Sequence, residues 1–124
     1  MVKLVYCLTR RADVEPDEFY RYWLEEHGPL VRSLARELGA LRYVQSHTTM
    51  NDMNEAIRLG SGFQPAYDGI TEVWMESMPD DAAGARAAAI LSEDEATFID
   101  KSRSRLFFTT EHPVFDYTAG QEGG

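Results

Sequence analysis

At 124 residues the chain fits one domain and leaves little room for a second. Its net charge of −9, from 12 basic and 21 acidic side chains, argues against a nucleic-acid surface and against an anionic membrane, since both call for clustered Lys and Arg. Cys7 is the single cysteine, which excludes an intrachain disulfide and a thiolate metal cluster.

The N-terminal MVKLVYCLTRR has too short an apolar run for a signal peptide, and nothing in the chain approaches a transmembrane span, so a cytoplasmic location is expected. Val2 to Thr9 alternates as a strand, with Val2, Leu4, Tyr6 and Leu8 opposed to Lys3, Val5, Cys7 and Thr9. A helix begins near Glu15. Pro16 suits its first position, and Asp17 and Glu18 suit the positive end of its dipole. Phe19, Trp23 and His27 stand four residues apart and share a face, which Leu30, Val31 and Leu34 continue. Pro29 lacks an N–H and crowds the preceding turn, so a kink or fresh start is expected at Gly28-Pro29, with His27 beside it. Gly39 stands where a C-cap glycine would.

Ala40 to Met50 reads as the second strand, with Leu41, Tyr43, Gln45 and His47 on one side. Residues 51–66 form a long connection in which Met53 and Ile57 have helical spacing and Gly60 can stop a short helix; such a connection is either a functional lid or a tolerated insertion. Tyr67 to Met75 is the third strand. Asp68, Ile70, Glu72 and Trp74 face one way, and Gly69, Thr71, Val73 and Met75 the other. Pro79 to Ile90 is an alanine-rich helix whose small side chains allow close packing or leave space for a ligand. Ser92 and Glu95 have capping-box spacing, which predicts a second short helix carrying Phe98 and Ile99. The last strand runs from about Arg105 to Glu111. The expected domain is 1–118, followed by a frayed glycine-containing tail, 119–124.

The order βαββαβ predicts an α+β domain of ferredoxin-like topology, a four-stranded antiparallel sheet with helices on one face. Strands one, three and four carry apolar residues in both alternation sets, so the other face needs cover too. A second copy pairing sheet to sheet would supply it.

Four strings resemble the EthD family of dimeric α/β-barrel proteins: EFYRYWLEEHGPLVR, LRYVQSH, YDGITEVW and SEDEATFID. They hold Phe19, Tyr22, Trp23, His27, Gly28, Pro29 and Leu30; Leu41, Tyr43, Val44, Gln45 and His47; Tyr67, Asp68, Gly69, Glu72 and Trp74; and Glu95, Phe98 and Asp100. They span most of the chain in family order, and the first and third are the more specific. The resemblance implies a ferredoxin-like fold, a homodimer joined through its sheets as a dimeric α/β barrel, and a small-molecule pocket between helices and sheet. The wider superfamily holds polyketide cyclases, muconolactone-type isomerases and cofactor-free monooxygenases, often working without metal or organic cofactor. A reaction does not follow from fold.

His27 is the leading catalytic candidate, because histidine takes and returns a proton near neutral pH. The competing reading is a hydrogen-bonded core histidine that ties down the Pro29 kink. His47 and Tyr43 share a strand face and can line one cavity, or form a half-exposed strand end. Asp68 can orient a histidine or act as a base, or be a turn residue before Gly69. Glu72 can face substrate or form a cross-strand ion pair. Phe19, Tyr22, Trp23 and Trp74 can hold a flat aromatic or polyketide-like ligand, or be core. No metal site is expected from His27, His47 and His112, which lack local ligand spacing, and no cofactor motif is present.

The expected function is cofactor-independent lyase, isomerase or cyclase chemistry on a hydrophobic, aromatic or polyketide-like carbonyl compound. His27 would shuttle the proton, His47 or Asp68 would be its partner, and Tyr43 would hydrogen-bond the developing enolate. The alternatives are cofactor-free oxygenation and non-catalytic binding of a hydrophobic molecule. Convergence of two or more of His27, His47 and Asp68 would favour catalysis; an apolar cavity from which they all turn away would favour binding.

Overall fold

The computed structural model describes residues 1–118; the tail from 119 lies outside them. Four strands, β1 (Val2–Leu8), β2 (Ala40–His47), β3 (Gly69–Met75) and β4 (Arg105–Thr109), form one sheet in the order β2-β3-β1-β4 with every neighbouring pair antiparallel. The helices are α1 (Pro16–Tyr22), α2 (Gly28–Leu38), α3 (Asn51–Ser61) and α4 (Ala82–Glu95). This is the ferredoxin-like βαββαβ arrangement.

The register settles which alternation set meets the helices. Leu4, Tyr6 and Leu8 pair with Val73, Thr71 and Gly69, and these in turn with Tyr43, Gln45 and His47. That set holds the buried Tyr6, Leu8, Thr71, Val73 and Met75. The opposite face carries Val5, Cys7, Val44, Ile70 and Phe107 beside Lys3, Glu72 and Trp74.

The core is a cluster of Tyr6, Leu8, Phe19, Trp23, Phe98 and Ile99. Phe19, Trp23, His27 and Val31 are all buried, so the four-residue stripe is the inward face of the first helical stretch. Between α1 and α2, residues Trp23–His27 form a π-turn. Pro29 has no N–H to give the carbonyl of Glu25, and instead the Gly28 N–H reaches back five residues to the Trp23 carbonyl. The expected break is thus an insertion-like widening immediately before Pro29. Gly39 closes α2 with a left-handed φ of 68°.

Three expectations change. The connecting helix α3 runs past Gly60 and ends at Gly62, whose φ is 73°. No new helix starts at Ser92: α4 runs unbroken from Ala82 to Glu95, and the cap is Asp81, which accepts from Gly84 N at 2.8 Å. Ser92 instead accepts from Lys101 Nζ, and Phe98 and Ile99 are buried in the turn after α4. Leu41 leaves its expected face, because the β2–β3 register shifts between Ala40 and Arg42 and leaves it exposed. No helix among the described residues is long and apolar enough to cross a membrane.

Candidate active site

Helix α4 packs on α2, and its contacts with the sheet are few. A cavity of about 450 Å³, lined on α4 by Ala88 and Leu91, lies between the helices and the inner face of β1, β3 and β4. Leu4, Leu38, Val73, Met75, Met78 and Leu91 make most of the wall apolar. The exposed Leu106 and Phe108 of β4 also line it, so the mouth lies on that edge.

Two titratable groups enter the cavity together. His27, at the end of the π-turn, and Glu95, at the end of α4, both line it, with His27 Nε2 3.6 Å from Glu95 Oε2. The other imidazole nitrogen, Nδ1, lies 2.7 Å from Asp94 Oδ2. Asp94 also accepts from the Tyr22 hydroxyl at 2.5 Å. A carboxylate accepts, so this network assigns the proton to Nδ1 and leaves the Nε2 lone pair facing Glu95 and the cavity. Adjacent acids thus divide the work: Asp94 orients the imidazole from behind, and Glu95 meets its front.

The electrostatics match a proton-transfer pair. Burial lowers the His27 pKa below its ordinary value, opposed by the hydrogen bond and charge of Asp94. Burial pushes the Glu95 carboxyl up to about 7; Lys101 pulls it down and the Asp94 charge adds to the rise. Near neutral pH the site therefore holds a neutral imidazole beside a carboxyl close to half protonation.

Tyr43 and Trp23 also line the cavity. Gln45 Nε2 donates to the Tyr43 hydroxyl at 2.8 Å and to the Trp23 carbonyl at 2.7 Å. Burial raises the Tyr43 pKa. Trp23 Nε1 is a buried polar atom with no hydrogen-bond partner among the described residues.

The other sequence candidates lie elsewhere. His47 stacks on the Trp23 ring, centroids 4.4 Å apart, and its Nε2 is 2.8 Å from Gln45 Oε1. It supports Trp23 from the side away from the cavity lining. Asp68 accepts from Arg10 N at 2.7 Å, and its carbonyl accepts from the Tyr20 hydroxyl. Phe19 is fully buried core, and Tyr22 acts on Asp94. Glu72 and Trp74 are on the outer sheet face, where Glu72 pairs with Lys3 at 2.7 Å and Trp74 donates to Glu111 at 2.6 Å. Of His27, His47 and Asp68, only His27 reaches the cavity. Convergence comes from Asp94 and Glu95, whose roles the sequence reading missed. The available signal was Glu95 falling four residues after Leu91 on the inward stripe of an apolar helix.

A ferredoxin-like sheet, helices on one face, and a His–carboxylate cluster in the cavity between them define a small α+β domain built around that cavity. The chain belongs to the EthD domain family, which matches residues 11–102. It is similar in fold to an ethyl tert-butyl ether d (EthD) family protein of Bacillus halodurans, with 17% identity, TM-score 0.58, and coverage of 90% of this chain and 99% of that one. It is likewise similar to HapK from Hahella chejuensis (10% identity, TM-score 0.55, 94% and 97% covered). An EthD-like protein of Ralstonia eutropha gives 15% identity, TM-score 0.53, and 94% and 96% covered. Among curated proteins no sequence matches this chain significantly.

Proposed function

We propose that the protein is a cofactor-independent lyase, isomerase or cyclase that moves a proton at a carbon next to a carbonyl in a hydrophobic, aromatic-sized compound. The observation that carries this reading is the Asp94–His27–Glu95 array at the wall of a largely apolar cavity. In this reading His27 Nε2 takes the proton from carbon. Glu95, in its acid form, gives its proton to the carbonyl oxygen or leaving group. The resulting imidazolium and carboxylate face each other, so the proton returns from Nε2 to Oε2 and the pair is reset. Asp94 stabilises the transient imidazolium and fixes the tautomer; it is a positioning residue. Tyr43 faces the same cavity and supports the enolate oxygen.

Proton transfer at carbon can be tested apart from whatever step follows it. Enolisation shows as deuterium entering the α-carbon of a bicyclic ketone such as 2-tetralone in D2O, followed by NMR. The folded protein is expected to accelerate exchange, and His27→Gln to lose about a hundredfold or more. Exchange no faster than buffer across bicyclic ketones, with the cavity shown to bind them, would favour the binding-module reading, to which the apolar lining already lends support. Oxygen uptake coupled to product formation would instead indicate oxygenation.

A further inference from the structure

Lys101 opens the short turn after α4 and lines the cavity, yet it is exposed, so its charge stands where the cavity meets water. Its ammonium is held in place. It donates to the Ser92 carbonyl at 2.9 Å and to the Ser92 hydroxyl at 2.7 Å. An ammonium has three N–H donors, so one is left after Ser92 is served. Ser92 also lines the cavity, three residues before Glu95 and on the same face of α4. The Lys101 charge reaches the acid–base pair, where it pulls the Glu95 carboxyl down.

No carboxylate among the described residues lies within ion-pair distance of Lys101 Nζ. The acids that flank it in sequence are engaged elsewhere. Asp94 holds Tyr22 and His27, Glu95 meets the front of His27, and Asp100 holds Ser102 and Arg103. With 21 acidic side chains to 12 basic ones, partners are plentiful, and a lysine without one beside a cavity is the unexpected case. The other groups of that rim are already used. Ser104 Oγ accepts from Thr9 N and donates to the Asp100 carbonyl. Arg105 belongs to the outer alternation set of β4, and its Nε donates to the Tyr67 hydroxyl at 3.1 Å.

We propose that Lys101, held by Ser92, anchors an anionic group of the ligand, and that the substrate is an aromatic carbonyl compound that also carries a carboxylate. The carboxylate takes the remaining ammonium N–H where the cavity opens, and the ring lies along the apolar wall of Leu4, Val73 and Met75. The carbonyl is then the separate group that meets His27 and Glu95. A hydrogen bond between two charged groups is stronger than a neutral one, and exposure at the mouth limits the gain. The anchor also answers a general obstacle, since the net charge of −9 opposes the entry of any anion. This deepens the acid–base reading of the cavity and rests on it.

The experiment uses a matched pair, 2-naphthoate and 2-acetylnaphthalene, which share ring and shape and differ in charge. Binding is measured by titration calorimetry near neutral pH at low and at high salt. The parent is expected to hold the naphthoate about tenfold tighter than the ketone, the scale of a hydrogen bond between charged groups partly open to water. Salt should shrink that margin. Lys101→Met is expected to reverse the order, because the remaining field repels the anion, and to leave the ketone nearly unaffected. A lysine that only tied the turn to α4 would, on replacement, change both ligands alike. A parent that binds the ketone as tightly as the naphthoate overturns the anchor while the cavity reading stands. A naphthoate margin that survives Lys101→Met overturns it too. Should Lys101→Met fail to fold, a margin in the parent that salt leaves unchanged has the same force. If neither compound binds, the cavity reading falls and the anchor with it.

Discussion

Glu95 Oε2 stands 3.6 Å from His27 Nε2, on the side of the imidazole opposite the 2.7 Å contact with Asp94. Burial moves the two groups in opposite directions, lowering the histidine and raising the carboxyl to about 7. A base that must be unprotonated and an acid that must be protonated then coexist at pH values above the lowered histidine and below about 7. The rate of α-proton exchange is expected to be bell-shaped. It falls on the acid side as His27 gains a proton and on the alkaline side as Glu95 loses one near 7. The apparent values belong to the pair. Glu95→Gln keeps the shape and removes the titration, so its alkaline limb should disappear while the acid limb stays. A Glu95→Gln profile identical to the parent would remove Glu95 from proton transfer.

The same carboxyl links stability to pH. Its folded pKa, about 7, lies above the ordinary 4.5, so the folded state holds this proton more tightly than the unfolded chain does. Its contribution is fully present below about pH 4.5 and is lost as pH climbs through about 7. A shift of this size corresponds to about 3 kcal/mol, an upper figure for a group that keeps some solvent contact. Glu95→Gln should therefore match the parent in urea unfolding near pH 5 and exceed it by about 2–3 kcal/mol near pH 8. A constant difference across that range would show that Glu95 is not buried as a neutral acid.

What could be read from the sequence, and what could not, follows from the kind of signal each residue carries. The stripe of Phe19, Trp23, His27 and Val31 is periodic over several turns, so the inward face of that stretch and the place of His27 on it were legible. Strand alternation sorts residues into two sets without saying which meets the helices. Glu72 and Trp74 belong to the outer set, paired with Lys3 and Glu111. Nor does parity say where along a strand the cavity lies. His47 shares a face with Tyr43, but at the Gly69 end of the sheet the Trp23 ring fills the space. Glu95 was hidden by a competing local rule. Its spacing from Ser92 mimics a capping box, and only the unbroken run of α4 from Ala82 to Glu95 shows that no second helix starts there.

Gly69 should tolerate no side chain. A methyl group there would stand 2.5 Å from the Trp23 ring and 2.8 Å from the Ser46 carbonyl oxygen, part of the strand backbone. Neither neighbour has room to retreat, since His47 and Phe19 hold the other sides of the indole. Gly69→Ala is expected to destabilise by about 1–3 kcal/mol, as overpacking of a close-packed core does. Because Trp23 carries the strain, ketone binding should weaken in the fraction that remains folded. Thermal melting and the Trp23 indole resonance measure the two effects. A parent-like melting temperature would show that the indole is not wedged against β3.

The outer sheet face argues for a second copy. Ile70 and Phe107 are 38% and 45% exposed there, in an apolar patch with Val5, Cys7 and Val44. Several charged groups of that face already have partners within the chain. Lys3 Nζ meets Glu72 at 2.7 Å and Glu111 at 3.3 Å, and the Arg42 guanidinium lies 4.3 Å from the Trp74 ring centroid. Covering the Lys3 cluster therefore buries charges that already compensate one another, which lowers the penalty for burying such a surface. A short chain gains from burying apolar area that its own helices do not reach. We therefore expect a homodimer joined through the outer sheet faces, seen as about twice the 14.1 kDa chain mass in sedimentation at micromolar concentration. Phe107→Asp should shift it to monomer with the cavity intact. Val73→Asp, on the inner face, should instead damage the cavity and the core without acting on the interface. A monomeric parent, or a Phe107→Asp variant that stays dimeric, would rule out pairing through this face.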